Sequence, residues 1–184
     1  MSNSSNQFIK NTILRLLGAI GSEKEINKYI EKFSSPEQRF AVIKVGGSVI
    51  ENDLDNLISS LVFLNQVGLK PVILHGAGPM LSAALEKKKI DFSFINGQRV
   101  TSLEVRDVAQ AVFEETNTKI VAALEAQGAS AKSLISDIFQ CSIENPELGY
   151  VGSIQSVNVQ LVNEVLESDS IPVIAPIGFK IVKC

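Results

Sequence analysis

Two glycine-bearing stretches and one lysine carry most of the chemistry this sequence offers. The stretches are Lys44-Val45-Gly46-Gly47-Ser48 and His75-Gly76-Ala77-Gly78-Pro79. Glycines let backbone N–H groups approach an anion without side-chain obstruction. A cation just ahead of a glycine pair can neutralise charge developing on a transferred phosphoryl group, which is the use that suits Lys44. The plain alternatives are a lysine whose stem lies along a strand end and glycines that serve turn geometry alone. Neither stretch has the spacing G-x-x-x-x-G-K-[ST], so a Walker loop is excluded. Neither is G-x-G-x-x-G leading to an acidic ribose ligand, so a dinucleotide site is unsupported.

Other polar residues are less specific. Arg99 follows an Asn96-Gly97 turn, and a guanidinium on a rigid hairpin suits a bidentate grip on a carboxylate. Taken alone, it reads as a solvated arginine. His75 at a strand end reads as a structural histidine rather than a base. Lys87-Lys88-Lys89 reads as the exposed end of a helix. Cys141 reads as a small strand residue, with no histidine near it in sequence.

The elements that must position these residues follow from periodicity. Phe40–Val45 is a short, mostly apolar run, as in a strand buried on both faces, and Gly46-Gly47-Ser48 breaks it. Leu54, Leu57, Ile58, Leu61, Val62 and Leu64 mark an amphipathic helix. Pro71–His75 is the next strand, and Pro79 suits the first turn of a helix reaching about Lys88. This βαβα alternation is that of a mostly parallel open sheet with helices on both faces. Asn96-Gly97 between β-prone residues signals a hairpin over residues 92–100. Thr101 and Glu104 have capping-box spacing ahead of a helix that runs to about Leu124. Residues 132–157 read as strands joined by a tight turn near Asn145-Pro146 and Gly149. A short helix holds Leu161, Val162, Val165 and Leu166. Ile171–Ala175 reads as a further strand, after which few residues remain. Ahead of all this, Phe8, Ile9, Ile13, Leu16, Leu17 and Ile20, and then Ile26, Tyr29, Ile30 and Phe33, form two helical stripes. Residues 1–38 are therefore expected to be a helical arm, with the α/β domain over 39–184.

Composition narrows the class of function. The chain has 184 residues, 17 Lys+Arg and 20 Asp+Glu, for a net charge of −3, so it carries no electrostatic footprint for nucleic acid or an anionic membrane. No apolar run approaches the roughly 18 residues of a membrane span, and no secretion signal is visible. Two cysteines far apart give neither a zinc pattern nor a disulfide framework, which suits a cytoplasmic location. A single histidine excludes a histidine-cluster metal site and any Ser-His triad that does not use His75.

Five stretches together resemble the amino acid kinase family, and within it the acetylglutamate kinases. They are Ile43–Gly47, His75–Pro79, Asn96-Gly97-Gln98-Arg99-Val100-Thr101, Leu148-Gly149-Tyr150-Val151-Gly152 and Ile171–Gly178, in the family's order. The arm and Ala77 resemble the bifunctional synthase/kinase branch. The resemblance implies an amino acid kinase-like N-terminal lobe. It implies transfer of the γ-phosphoryl of MgATP to the side-chain carboxylate of N-acetyl-L-glutamate, a step of arginine biosynthesis. By the same resemblance, Lys44 stabilises the transition state, and Gly46, Gly47 and Gly78 bind the phosphates. Gly76 and Ala77 bind the acceptor through N–H groups, and Arg99 holds its α-carboxylate. No metal site of the protein's own is implied. The family's nucleotide-binding second half has no counterpart in this chain. Transfer by the chain alone is therefore expected to be impaired unless a separate chain supplies that lobe. The alternative is a non-catalytic module that binds acetylglutamate or arginine. The family also uses such an arm in assembly, so a homo-oligomer is expected.

Overall fold

Short apolar runs bounded by glycine and proline become strands, and the 3.6-periodic stretches become the helices between them. The computed structural model describes residues 40–66 and 68–180. The expected helical arm over 1–38 and Cys184 lie outside those residues. The order is β1 (Phe40–Val45), α1 (Gly47–Asn52), α2 (Leu54–Gln66), β2 (Lys70–His75), α3 (Gly78–Lys87), β3 (Phe94–Ile95), β4 (Gln98–Arg99) and α4 (Leu103–Ala126). Then come β5 (Ala131–Leu134), β6 (Phe139–Ser142), a 3-10 turn (Pro146–Leu148), β7 (Ser153–Val157), α5 (Val159–Glu167), β8 (Ile171–Ile174) and β9 (Gly178–Lys180).

The main sheet is parallel, in the order β1-β2-β8-β5. Strand β8 comes late in the chain yet lies between β2 and β5. One face packs Val45, Ile73, Ile171 and Val173 against Ile58, Leu61 and Val62 of α2 and Ile120 and Leu124 of α4. The other packs Val72, Leu134 and Ile174 against Val165 and Leu166 of α5. A third cluster joins α3 to α4 through Leu81, Leu85, Val105, Val108 and Val112. The buried residues of α4 recur at three- and four-residue steps, Val105, Val108, Val112, Thr116, Ile120 and Leu124, so one stripe serves both the sheet and α3. Beside this body, β6 pairs antiparallel with β7 and parallel with β9. Among the described residues, no helix is long and apolar enough to cross a membrane.

The expected α/β architecture, with helices on both faces of a parallel sheet, is the one found. Four details differ. Strand β1 is not buried on both faces: it is an outer strand of the described sheet, Val42 is 65% exposed and Lys44 is exposed. The Gly46-Gly47-Ser48 break opens directly into α1 rather than a loop, since Gly46 O accepts from Val49 N and Ile50 N. Helix α4 is capped by Ser102, whose Oγ accepts from Val105 N at 3.3 Å, and not by Thr101. Thr101 is drawn instead into a bridge with Gly149. Finally, the few residues after β8 include a further strand, β9, which the sequence pattern does not mark.

Candidate active site

Register sets the geometry of the two glycine stretches. Val45 lies opposite His75 in the β1–β2 ladder, so both stretches leave the same carboxyl edge of neighbouring parallel strands, the edge at which open α/β sheets bind ligands. There they touch. Gly76 N–H donates to Val45 O at 2.8 Å. A Cβ on Gly47 would lie 2.9 Å from Pro79 Cδ, 3.0 Å from Gly78 N and 3.1 Å from Ala77 Cα. Only glycine permits that approach. Ala77 is buried and joins the α3–α4 cluster, which pins the second stretch. Gly78 is open, with nothing within 4 Å of where a Cβ would be. It begins α3, whose N-cap Ala77 offers no side-chain cap. Lys44 precedes the first stretch on the exposed side of β1, and among the described residues it has no ion-pair partner.

Arg99 is brought to the same end of the molecule. Asn96 and Gly97 both take positive φ, 50° and 79°, which turns β3 into β4 and sets Phe94 opposite Arg99. Its Nη2 donates to Ser82 Oγ at 2.7 Å, and Ser82 is one helical turn along α3 from Gly78. The guanidinium carbon lies 4.2 Å from the Phe92 ring centroid and 4.7 Å from that of Phe94. Nη1 is buried without a partner. Burial draws the Arg99 pKa down from its ordinary value, though a guanidinium stays cationic at neutral pH. Behind it, Thr101 Oγ1 donates to Arg99 O at 3.0 Å. Thr101 N–H donates to Leu148 O at 2.9 Å, and Tyr150 N–H donates to Thr101 O at 2.8 Å. The Leu148-Gly149-Tyr150 segment thus braces the strand that carries Arg99.

His75 is buried beneath the second stretch, 1% exposed, and takes a structural part. Asn117 of α4, fully buried, donates from Nδ2 to Val173 O at 2.9 Å and lies 3.1 Å from His75 Nε2. With both amide hydrogens so used, Nε2 accepts and the ring proton resides on Nδ1. Burial lowers the His75 pKa below 6.5, partly offset by the Gly76 backbone. An unfolded chain therefore takes up the proton first. The stability His75 contributes is full above pH 6.5 and is lost as pH falls from there through the lower folded value. Thermal melts are expected to hold level from about pH 8 to 7 and to decline below about pH 6.5. The His75→Gln variant should show no slope in that window. An equal slope in both would place the effect elsewhere.

Cys141 lies where two glycines converge. A Cβ on Gly152 would meet its Cβ at 2.8 Å, and one on Gly178 would strike its Sγ. Burial raises the Cys141 pKa, so the thiol stays protonated and serves as a filler. Lys87, Lys88 and Lys89 are exposed at and just beyond the end of α3.

The structure therefore brings Gly46, Gly47, Gly76, Ala77 and Gly78 into one surface, and ties Arg99 to the helix that begins there. Lys44 stands on the strand that feeds it. Sequence reasoning missed Asn117, Ser82 and the Phe92–Phe94 pair. The hairpin register was the signal for Phe94, which it places across from Arg99.

Such an edge, with two touching glycine stretches at the carboxyl ends of neighbouring parallel strands, defines an open α/β protein. The chain belongs to the amino acid kinase family, whose model matches residues 39–182. It is 43% identical over 161 residues to an acetylglutamate kinase from Xanthomonas campestris, covering 86% of this chain and 38% of that protein. It is 40% identical over 167 residues to the protein arg11, mitochondrial, of Schizosaccharomyces pombe, covering 90% of this chain and 19% of that one. Among solved structures, smu.665 from Streptococcus mutans superposes with a TM-score of 0.72 at 26% identity, over 78% of this chain and 60% of that one. The chain thus spans well under half the length of these two curated relatives.

Proposed function

We propose that this chain is the acceptor-binding part of an acetylglutamate kinase-type phosphotransferase. One observation carries the reading: the two glycine stretches touch at one sheet edge, with Arg99 held a helical turn away. In this reading Arg99 grips the α-carboxylate of N-acetyl-L-glutamate, and the Ala77 N–H holds the acceptor beside Gly76, whose own N–H is already given to Val45 O. Gly46, Gly47 and Gly78 give ATP phosphates close access to backbone, and the open space at Gly78 fits a bulky anion. An oxygen of the acceptor's side-chain carboxylate attacks the γ-phosphorus. The bond from that phosphorus to the β–γ bridging oxygen breaks, ADP departs with the electron pair, and an acyl phosphate forms. Lys44 offsets the charge spread over the transferring group, and no covalent enzyme intermediate is needed. Magnesium enters as part of the nucleotide substrate. Among the described residues, no group of three His, Cys, Asp or Glu gathers into a metal site.

The test is ADP release and hydroxylamine trapping of the acyl phosphate. It is run with N-acetyl-L-glutamate and MgATP, on the chain alone and with a polypeptide that carries the remainder of a full-length relative. Lys44→Ala is expected to lower the rate about 100-fold. Arg99→Ala is expected to raise KM for the acceptor by roughly 10- to 100-fold. Turnover unchanged in both variants would refute the reading. A second reading follows from the groups gathered here, which lie on the acceptor side: a regulatory module that binds acetylglutamate or arginine without transfer. The transfer assay separates the two: a regulatory module binds acetylglutamate or arginine in calorimetry yet forms no acyl phosphate even when the remaining lobe is supplied.

A further inference from the structure

The surroundings of Arg99 do more than bury it. Its guanidinium carbon lies 4.2 and 4.7 Å from the centroids of two phenylalanine rings, and those rings stand edge to face, 83° apart with centroids 6.0 Å from each other. The two rings differ in freedom. Phe92 packs into the α3–α4 cluster, whereas Phe94 is 54% exposed. Ser82 takes one hydrogen of Nη2, and Nη1 is screened from solvent with no acceptor. A buried donor without a partner is a standing cost that a bound acceptor removes. Free arginine side chains lose much rotamer freedom when they bind, and a guanidinium already stacked and hydrogen-bonded has less to lose.

We propose that Phe92, Phe94 and Ser82 are positioning residues: they clip the Arg99 guanidinium in place and leave Nη1 as the donor reserved for a ligand carboxylate. This rests on the assignment of Arg99 to the acceptor's α-carboxylate. Phe92 is the fixed jaw of the clip. Phe94 is the outer jaw, past which the carboxylate reaches Nη1. The clip favours ligands that carry a carboxylate at this point over those of the same skeleton that lack it. Neither ring touches the reacting atoms, so the effect falls on acceptor affinity and not on phosphoryl transfer.

Titration calorimetry of the full chain tests this with two probes. One is N-acetyl-L-glutamate. The other is 4-acetamidobutyrate, which has the same skeleton without the α-carboxylate. Phe94→Leu changes an exposed residue and so leaves the fold intact. It is expected to weaken acetylglutamate binding about tenfold and to leave 4-acetamidobutyrate unchanged. Phe94→Tyr keeps a ring and should restore affinity to within about twofold of the parent. The Arg99 Nε–H resonance reports the clip itself: its ring-current displacement should shrink to the share due to Phe92 in Phe94→Leu and return in Phe94→Tyr. If acetylglutamate binding falls with Arg99→Ala but not with Phe94→Leu, the clip is overturned and the site stands. Equal weakening of both probes by Phe94→Leu also overturns the clip. If the parent chain binds no acetylglutamate, or binds it indifferently to Arg99→Ala, the acceptor site fails and takes this proposal with it.

Discussion

Alanine at position 149 is expected to destabilise the protein by about 3 kcal/mol or more, through backbone strain and a direct collision. Gly149 sits at φ 66°, ψ −123°, a conformation that side chains avoid. A Cβ there would run into the carbonyl of Thr101, with the Thr101 carbon at 3.0 Å. Both colliding groups are main chain, so no rotamer change relieves them. The segment must move, and with it go the bonds from Thr101 N–H to Leu148 O and from Tyr150 N–H to Thr101 O. Those bonds brace the chain two residues beyond Arg99, which ends β4. Gly149→Ala should therefore lower the melting temperature by about 10 °C. In whatever fraction remains folded, it should also weaken acceptor binding. A melt within about 2 °C of the parent would show that the bridge is dispensable.

The second large effect is expected at Asn117. This amide sits where α4 crosses β2 and β8, and its one nitrogen serves both His75 and Val173. Asn117→Leu leaves a buried ring nitrogen without a partner and takes the side-chain donor away from a buried strand carbonyl. At about 1–3 kcal/mol for each group so deprived, the loss should reach roughly 3–5 kcal/mol. Urea unfolding measures it as a lower midpoint with an unchanged slope. Adding His75→Leu to the variant removes the orphaned nitrogen, so the double variant should be less destabilised than the sum of the single changes. Strict additivity would mean that the two side chains do not communicate.

Much of the architecture was legible because local signals and tertiary demands coincided. Asn96-Gly97 does what the dipeptide's tolerance of positive φ allows, 50° and 79°. The stripe from Val105 to Leu124 is buried as its spacing requires. Helix α1 was not legible: Gly47 and Ser48 are poor helix formers, and the turn closes because Gly47 must press against Ala77 and Gly78. Contacts between loops leave no trace in local periodicity. The order β1-β2-β8-β5 was equally hidden, since nothing in Ile171-Pro172-Val173-Ile174 says which strands it separates.

At the candidate site, the glycines and Arg99 stood out because their residue types are rare at such places and recur in a known order. Asn117 did not. A single amide beside an apolar helical stripe looks like surface until the helix is docked and the residue proves fully buried. Thr101 has the look of a helix cap because its spacing from Glu104 fits one. Ser102 won that position because Thr101 N–H and O were already committed to Leu148 and Tyr150.

The placement of β8 has a consequence for how the protein is made. Strands β1, β2 and β5 all leave the ribosome before Ile171–Ile174 do, yet among the described residues β5 has no other neighbour in the main sheet and β2 has only β1. A nascent chain therefore waits with open strand edges until a four-residue keystone clears the exit tunnel. Only then can the sheet close, so the facing edges of β2 and β5 stay unpaired for as long as the residues between β5 and β8 take to emerge.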